Sequence, residues 1–147
     1  MSSEHFEHVT TEATVASYEA SVAIFESLLS EVRLLSKKKP EATMSASKVK
    51  TINRVLEDLL AFLKKEPTGK YLEVLDDKTL PQVSDAVLAM VQFEATLSAF
   101  RKRYHRLIGG EFGDYFWITS ELLERRMKEA EERSKKRDMP KRKTRDD

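Results

Sequence analysis

Apolar side chains recur every three or four residues along four stretches of the chain, the spacing at which residues of an α-helix share one face. The cleanest row is Val83, Ala86, Met90, Phe93, Leu97, Phe100, Tyr104 and Leu107. A second runs Val15, Tyr18, Val22, Phe25, Leu29, Val32, widened by Ile24, Leu28 and Leu35. A third is Val49, Ile52, Leu56, Leu59, Leu63, with Val55 and Phe62 beside it. Stripes of this kind need other helices to cover them. The spacing therefore predicts an all-α fold: an antiparallel four-helix bundle with a short extra helix between helices 2 and 3 and a polar C-terminal tail.

Capping and breaking residues predict the ends. The first helix starts at Thr10 or Thr11, whose hydroxyl can accept from free backbone N–H groups, and ends in Lys37-Lys38-Lys39 before Pro40. Ser45 or Ser47 opens the second, and Lys64-Lys65 followed by Pro67-Thr68-Gly69 closes it. A helical turn is expected from Tyr71 to Leu75, and Pro81 falls near the first turn of the third helix. That helix runs to about Ile108, where Gly109-Gly110 stops it. The fourth begins near Asp114 with Tyr115-Phe116-Trp117 and continues through Leu122, Leu123 and Met127. No strand is expected, because no segment shows sustained alternation of period two. Residues 1–9 read as a flexible N-terminal segment and 10–130 as the helical domain. Residues 131–147 read as a charged, largely disordered tail, with Met139 their only large apolar residue.

Composition narrows the function more than it identifies it. With 147 residues the chain suits one domain able to bury its own core. The lack of cysteine excludes disulfides, zinc-thiolate sites and thiol nucleophiles. The start lacks the pattern of a secretory signal, and no apolar run approaches the roughly 18 residues of a membrane span, so a cytoplasmic protein without a membrane role is expected. A net charge of +1 conceals a gradient: residues 1–34 hold six acidic side chains and one basic, Arg33, whereas residues 101–147 hold fifteen basic and ten acidic.

Catalytic motifs are scarce. Three residues before His5, His8 and His105 stand Ser2, His5 and Lys102, so the Glu-x-x-His pairs of carboxylate-bridged metal bundles cannot form. His5 and His8 lie one helical turn apart, but at the chain end, where a solvated segment is expected; neither a metal site nor a cofactor follows. No serine stands in a Gly-x-Ser-x-Gly turn. Gly109-Gly-Glu-Phe-Gly113 lacks the Lys-Ser/Thr ending and the preceding strand of a phosphate loop, and reads as a hinge between helices. Glu94, at the border of the third stripe, is expected to meet solvent or a cation on the next helix.

Two surfaces remain. Phe112, Tyr115, Phe116 and Trp117 cannot all point inward from one helix, so part of this group is available to a partner. Arg101, Lys102, Arg103, His105 and Arg106 form a basic cluster suited to capping the helix or to phosphate contact, with Lys141, Arg142 and Lys143 adding basic charge to the tail. The leading expectation is a non-enzymatic helical protein-interaction module, a homo-oligomer or a small subunit of an assembly. The alternative is RNA or DNA binding through the basic residues. A third is a metal-independent ribonuclease using Arg101, Arg103 and His105, since positions 101 and 105 fall one turn apart on a helix.

Overall fold

The computed structural model describes residues 6–138 and is mostly helical. In chain order it comprises α1 (Glu12–Lys38), α2 (Ala46–Leu63), a 3-10 turn (Gly69–Tyr71), α3 (Val83–Tyr104), β1 (His105–Ile108), a second 3-10 turn (Gly110–Phe112), β2 (Asp114–Trp117) and α4 (Ser120–Asp138).

The first two helices begin where their capping residues predict. Thr11 accepts from the Thr14 N–H and Ser45 from the Lys48 N–H, and Lys37 and Lys38 occupy the last turn of α1. The start of α3 is satisfied differently. Gln82 makes no side-chain cap, and the free N–H groups of Val83 and Ser84 donate instead to the carbonyls of Ala42 and Pro40, at 2.9 and 3.0 Å. The turn between α1 and α2 thus caps α3, and Met44 N–H returns a bond to Pro81 O at 2.8 Å.

The three stripes meet as their spacing predicts. Phe25, Leu29, Val49, Leu56, Leu59, Leu63, Met90, Phe93 and Phe100 are almost wholly buried in one core, to which the α2–α3 connection adds Leu72 and Leu75. Asn53 anchors that connection, accepting from Leu75 N–H and donating to Leu75 O, both at 2.8 Å. The helical turn lies at Gly69–Tyr71, earlier than the expected Tyr71–Leu75, because Leu72 and Leu75 are drawn inward from an extended segment. By length and composition α3 could cross a membrane, but its apolar row is buried against α1 and α2. On the outer edge of the α1–α3 contact, Arg33 forms a two-pronged pair with Glu94 at 2.9 and 3.3 Å. Both side chains are half exposed, so the pair is worth less than about 1 kcal/mol.

Three expectations are corrected at the C-terminal end. α3 ends at Tyr104, not near Ile108, and a β-hairpin follows where no strand was expected. Tyr115-Phe116-Trp117 lies in β2, so α4 begins only at Ser120, not near Asp114. The reason is the same in each case: His105 pairs with Trp117, Arg106 with Phe116, Leu107 with Tyr115 and Ile108 with Asp114. Gly109 and Gly110, at φ +93° and +71°, therefore turn a hairpin instead of ending a helix. Four-residue strands are too short for alternation to register as a pattern.

α4 also departs from the expected four-helix core. It buries no residue, and it continues beyond Ala130 to Asp138. Such a helix is supported by its own charge pattern: Glu121/Arg125, Glu124/Lys128, Glu129/Arg133, Glu131/Lys135 and Glu132/Lys136 each stand four apart with the acid first, the favourable orientation, worth about 0.2–0.5 kcal/mol a pair. Its root is clamped by the N-terminal segment. Thr10 N–H donates to Ile118 O at 3.0 Å, Ser120 N–H to Thr10 O at 2.9 Å and Glu12 N–H to Glu121 Oε2 at 3.1 Å, while Arg125 meets Glu12 at 2.7 Å. Its own backbone N–H and then that of Glu12 hold the Glu121 carboxyl below its usual range, with the Ser120 hydroxyl and Arg125 adding less.

Candidate functional site

The hairpin collects most of the residues singled out from the sequence and places them on different faces. Cross-strand partners share a face, so His105, Trp117, Leu107 and Tyr115 lie on one and Arg106, Phe116, Ile108 and Asp114 on the other.

At its base the first face is joined to the helices by aromatic contact. Trp117 packs edge-on to Tyr18 with centroids 5.2 Å apart and lies 5.9 Å from Phe100, which itself stacks on Tyr18 at 5.3 Å. His105 lies 4.9 Å from Trp117 and stacks on Tyr115 at 5.5 Å. Toward the tip this face is open. Tyr115 is 64% exposed and its cross-strand partner Leu107 is 42% exposed, while Phe112, on the turn between the strands, is 96% exposed. Of the four aromatics named as a partner surface, Phe112 and Tyr115 are therefore free, whereas Trp117 is largely spent on packing and Phe116 lies under the Arg126 guanidinium, 5.1 Å from the ring centroid. Leu107 joins the exposed group. Read as a helical stripe residue it belonged to the core, and only the strand pairing turns it outward.

The basic cluster is likewise divided. Arg101 and Lys102 are exposed on α3, and Arg101 lies close enough to His105 to help depress its pKa, although burial is the larger cause. Glu19, across on α1, acts in the opposite sense. Arg103 is occupied elsewhere. Its Nη2 donates to His8 Nδ1 at 2.9 Å, and its Nε is 3.9 Å from Glu66 Oε2, beyond hydrogen-bond reach. That Nε is buried with no hydrogen-bond partner among the described residues, an arrangement that costs about 1–3 kcal/mol. Arg101 and His105 thus stand together while Arg103 turns toward His8 and Glu66, so the three do not converge on one phosphate. Lys141, Arg142, Lys143 and His5 lie outside the described residues.

Glu66 belongs to no motif or apolar stripe in the sequence, and only the fold brings it to this site. Its side chain is only 10% exposed and accepts from the Tyr104 hydroxyl at 2.8 Å. Burial, reinforced by this acceptor, pushes the Tyr104 phenol up to about 12. Because the folded value lies above the unfolded one of about 10, the associated stability is complete below pH 10 and is lost as pH rises through 12. A phenolate-absorbance titration should contain a component ionising near 12 that disappears in Tyr104→Phe. A titration with no such late component removes this reading.

A cavity of about 400 Å³ lies in the α1–α2 groove and is walled by Leu28, Val32, Leu35, Met44 and Ile52, with Glu31, Lys38 and Lys48 also lining it. Among the described residues no group of His, Asp or Glu is arranged to hold a metal ion. No protein-family model, curated protein or solved structure matches the chain.

Proposed function

We propose that the chain is a non-enzymatic protein-interaction module, with the hairpin tip as its docking surface. The observation that carries this reading is the exposure of Phe112, continued on one strand face by Tyr115 and Leu107. Rigid aromatics lose little conformational entropy on burial and dominate interface energetics when a pocket receives them. Glu111 and Asp114 flank this group, so the complementary partner is another protein presenting an apolar pocket rimmed by lysine or arginine. Trp117, wedged against Tyr18 and near Phe100, gives the tip a firm base. The same reading takes the three long helices as an antiparallel bundle. It is supported for α1 and α3 by contacts that step up one as they step down the other: Tyr18 with Phe100 and Phe25 with Phe93.

Nucleic-acid binding draws less support, because the cations are spread over separate surfaces and the tip is acidic. The ribonuclease reading loses the convergence of Arg101, Arg103 and His105 that it requires.

A photo-crosslinking residue placed at position 112 should give one discrete adduct in the native cell, whereas the same probe at exposed Lys50 should not. The purified partner should then bind the chain, and Phe112→Ser with Tyr115→Ser should weaken that binding by about a hundredfold with helix content unchanged. Equal labelling from both positions, or binding indifferent to the double substitution, overturns the proposal.

A further inference from the structure

The opposite face of the hairpin root carries a second feature, independent of the docking tip. A polar cavity of about 220 Å³ is enclosed by Phe6, Glu7 and His8 of the N-terminal segment and by Arg103 and Arg106. We infer that it is a binding site for a terminal phosphate group, either free phosphate or a phosphate monoester.

Two arginines and one acid, Glu7, line the cavity, so its wall keeps a net positive charge that an anion can answer. Arg106 makes no ion pair among the described residues. Arg103 has its Nη2 on His8, and its Nε, 3.9 Å from Glu66 Oε2, is buried with no hydrogen-bond partner among the described residues. A guanidinium can only donate, so His8 accepts at Nδ1, and the neutral ring then carries its proton at Nε2. His8 thus orients Arg103, whose charge is offset in part by Glu66 at 3.9 Å, while Arg106 keeps its own. The guanidinium fork of Arg106 and the remaining Nη donors of Arg103 match the oxygens of a tetrahedral phosphate, which accepts several charge-assisted bonds at once.

Size and surroundings decide which phosphate. The cavity holds the equivalent of several waters, at about 30 Å³ each, enough for one hydrated phosphate group. A nucleic-acid backbone needs a continuous basic track. Here Glu7 stands at the wall, and Glu111 and Asp114 occupy the hairpin beyond. Phe6 adds a short apolar wall on which the organic part of a monoester can rest.

The test is calorimetric titration of the full chain with inorganic phosphate against a chloride background of equal ionic strength, followed by NMR of the arginine side-chain N–H signals. Saturable binding at one site, with the Arg103 Nε–H signal shifting on saturation, is the expected result. Arg106→Gln removes one fork from an exposed position and should weaken binding by about ten- to a hundredfold with helix content unchanged. Arg103→Lys, which keeps the charge but loses the fork, should weaken it as well. A nucleoside monophosphate that competes with phosphate identifies the monoester as ligand, and its failure to compete identifies the free ion. Absence of saturable binding, or equal affinity in Arg106→Gln, overturns the inference. So does an oligonucleotide that binds with steep salt dependence and is not displaced by phosphate.

Discussion

Phe100→Ala should destabilise the chain by about 3–5 kcal/mol, the range for removing a buried aromatic ring whose neighbours cannot collapse into the space. Phe100 is 1% exposed and lies within 6 Å, centroid to centroid, of Tyr18, Phe62, Tyr104 and Trp117. These rings come from α1, α2, α3 and β2, so one substitution withdraws contact from three helices and the hairpin together. Against a total stability of about 5–15 kcal/mol for a domain, this is a large share, equivalent to a fall in Tm of roughly 10–20 °C. Met127→Ala on α4 is the control. Met127 is 65% exposed, and its loss should stay within about 0.5 kcal/mol. Urea unfolding of both variants checks the pair, and similar midpoints for the two would show that Phe100 does not tie the hairpin to the helices.

Gly113→Ala should open the hairpin while leaving the helical core folded. A Cβ at this position would stand 1.8 Å from the carbonyl oxygen of Ile108, and the obstacle is backbone, which no side-chain rotation relieves. The Gly113 N–H also donates to Gly110 O at 3.0 Å, a bond that shapes the tip. Forcing atoms into a packed site costs about 1–3 kcal/mol, occasionally more, and the tip can escape that cost only by separating β1 from β2. Gly110→Ala makes the comparison specific. Gly110 has φ +71° but nothing within 4 Å of an added Cβ, so only left-handed strain of about 1–2 kcal/mol applies. Amide exchange should therefore show protection lost across residues 105–117 in Gly113→Ala, retained in Gly110→Ala, and retained in α1–α3 of both. Binding at the hairpin tip should follow the same order. A Gly113→Ala variant with its hairpin amides still protected would contradict the steric account.

The helical part of the fold was legible residue by residue. Phe25, Leu29, Leu56, Leu59, Met90 and Phe93 were read as stripe positions and are buried, because helical periodicity is a local property repeated over five or more turns. Of the two candidate caps at each start, Thr10 or Thr11 and Ser45 or Ser47, Thr11 and Ser45 act, since capping depends on the residue and its neighbours three positions on. The hairpin was not legible. Its two strands hold four residues each, and the hydrogen bonds that make them strands join positions up to twelve apart, which no local window weighs.

The candidate sites divide along the same line. The sequence by itself determined three long amphipathic helices, the starts of the first two, and a C-terminal region rich in aromatics and cations, all consequences of side-chain spacing and local hydrogen bonding. Only the tertiary structure decided that Leu107 faces outward, that Trp117 faces inward, and that Glu66 receives the Tyr104 hydroxyl. It alone separated Arg101 from Arg103 and brought His8 to the latter across 95 positions of chain. The physical reason is that a side chain's partner at the end of a helix is set by whichever distant backbone packs there, and here that backbone is the N-terminal segment laid across the hairpin root.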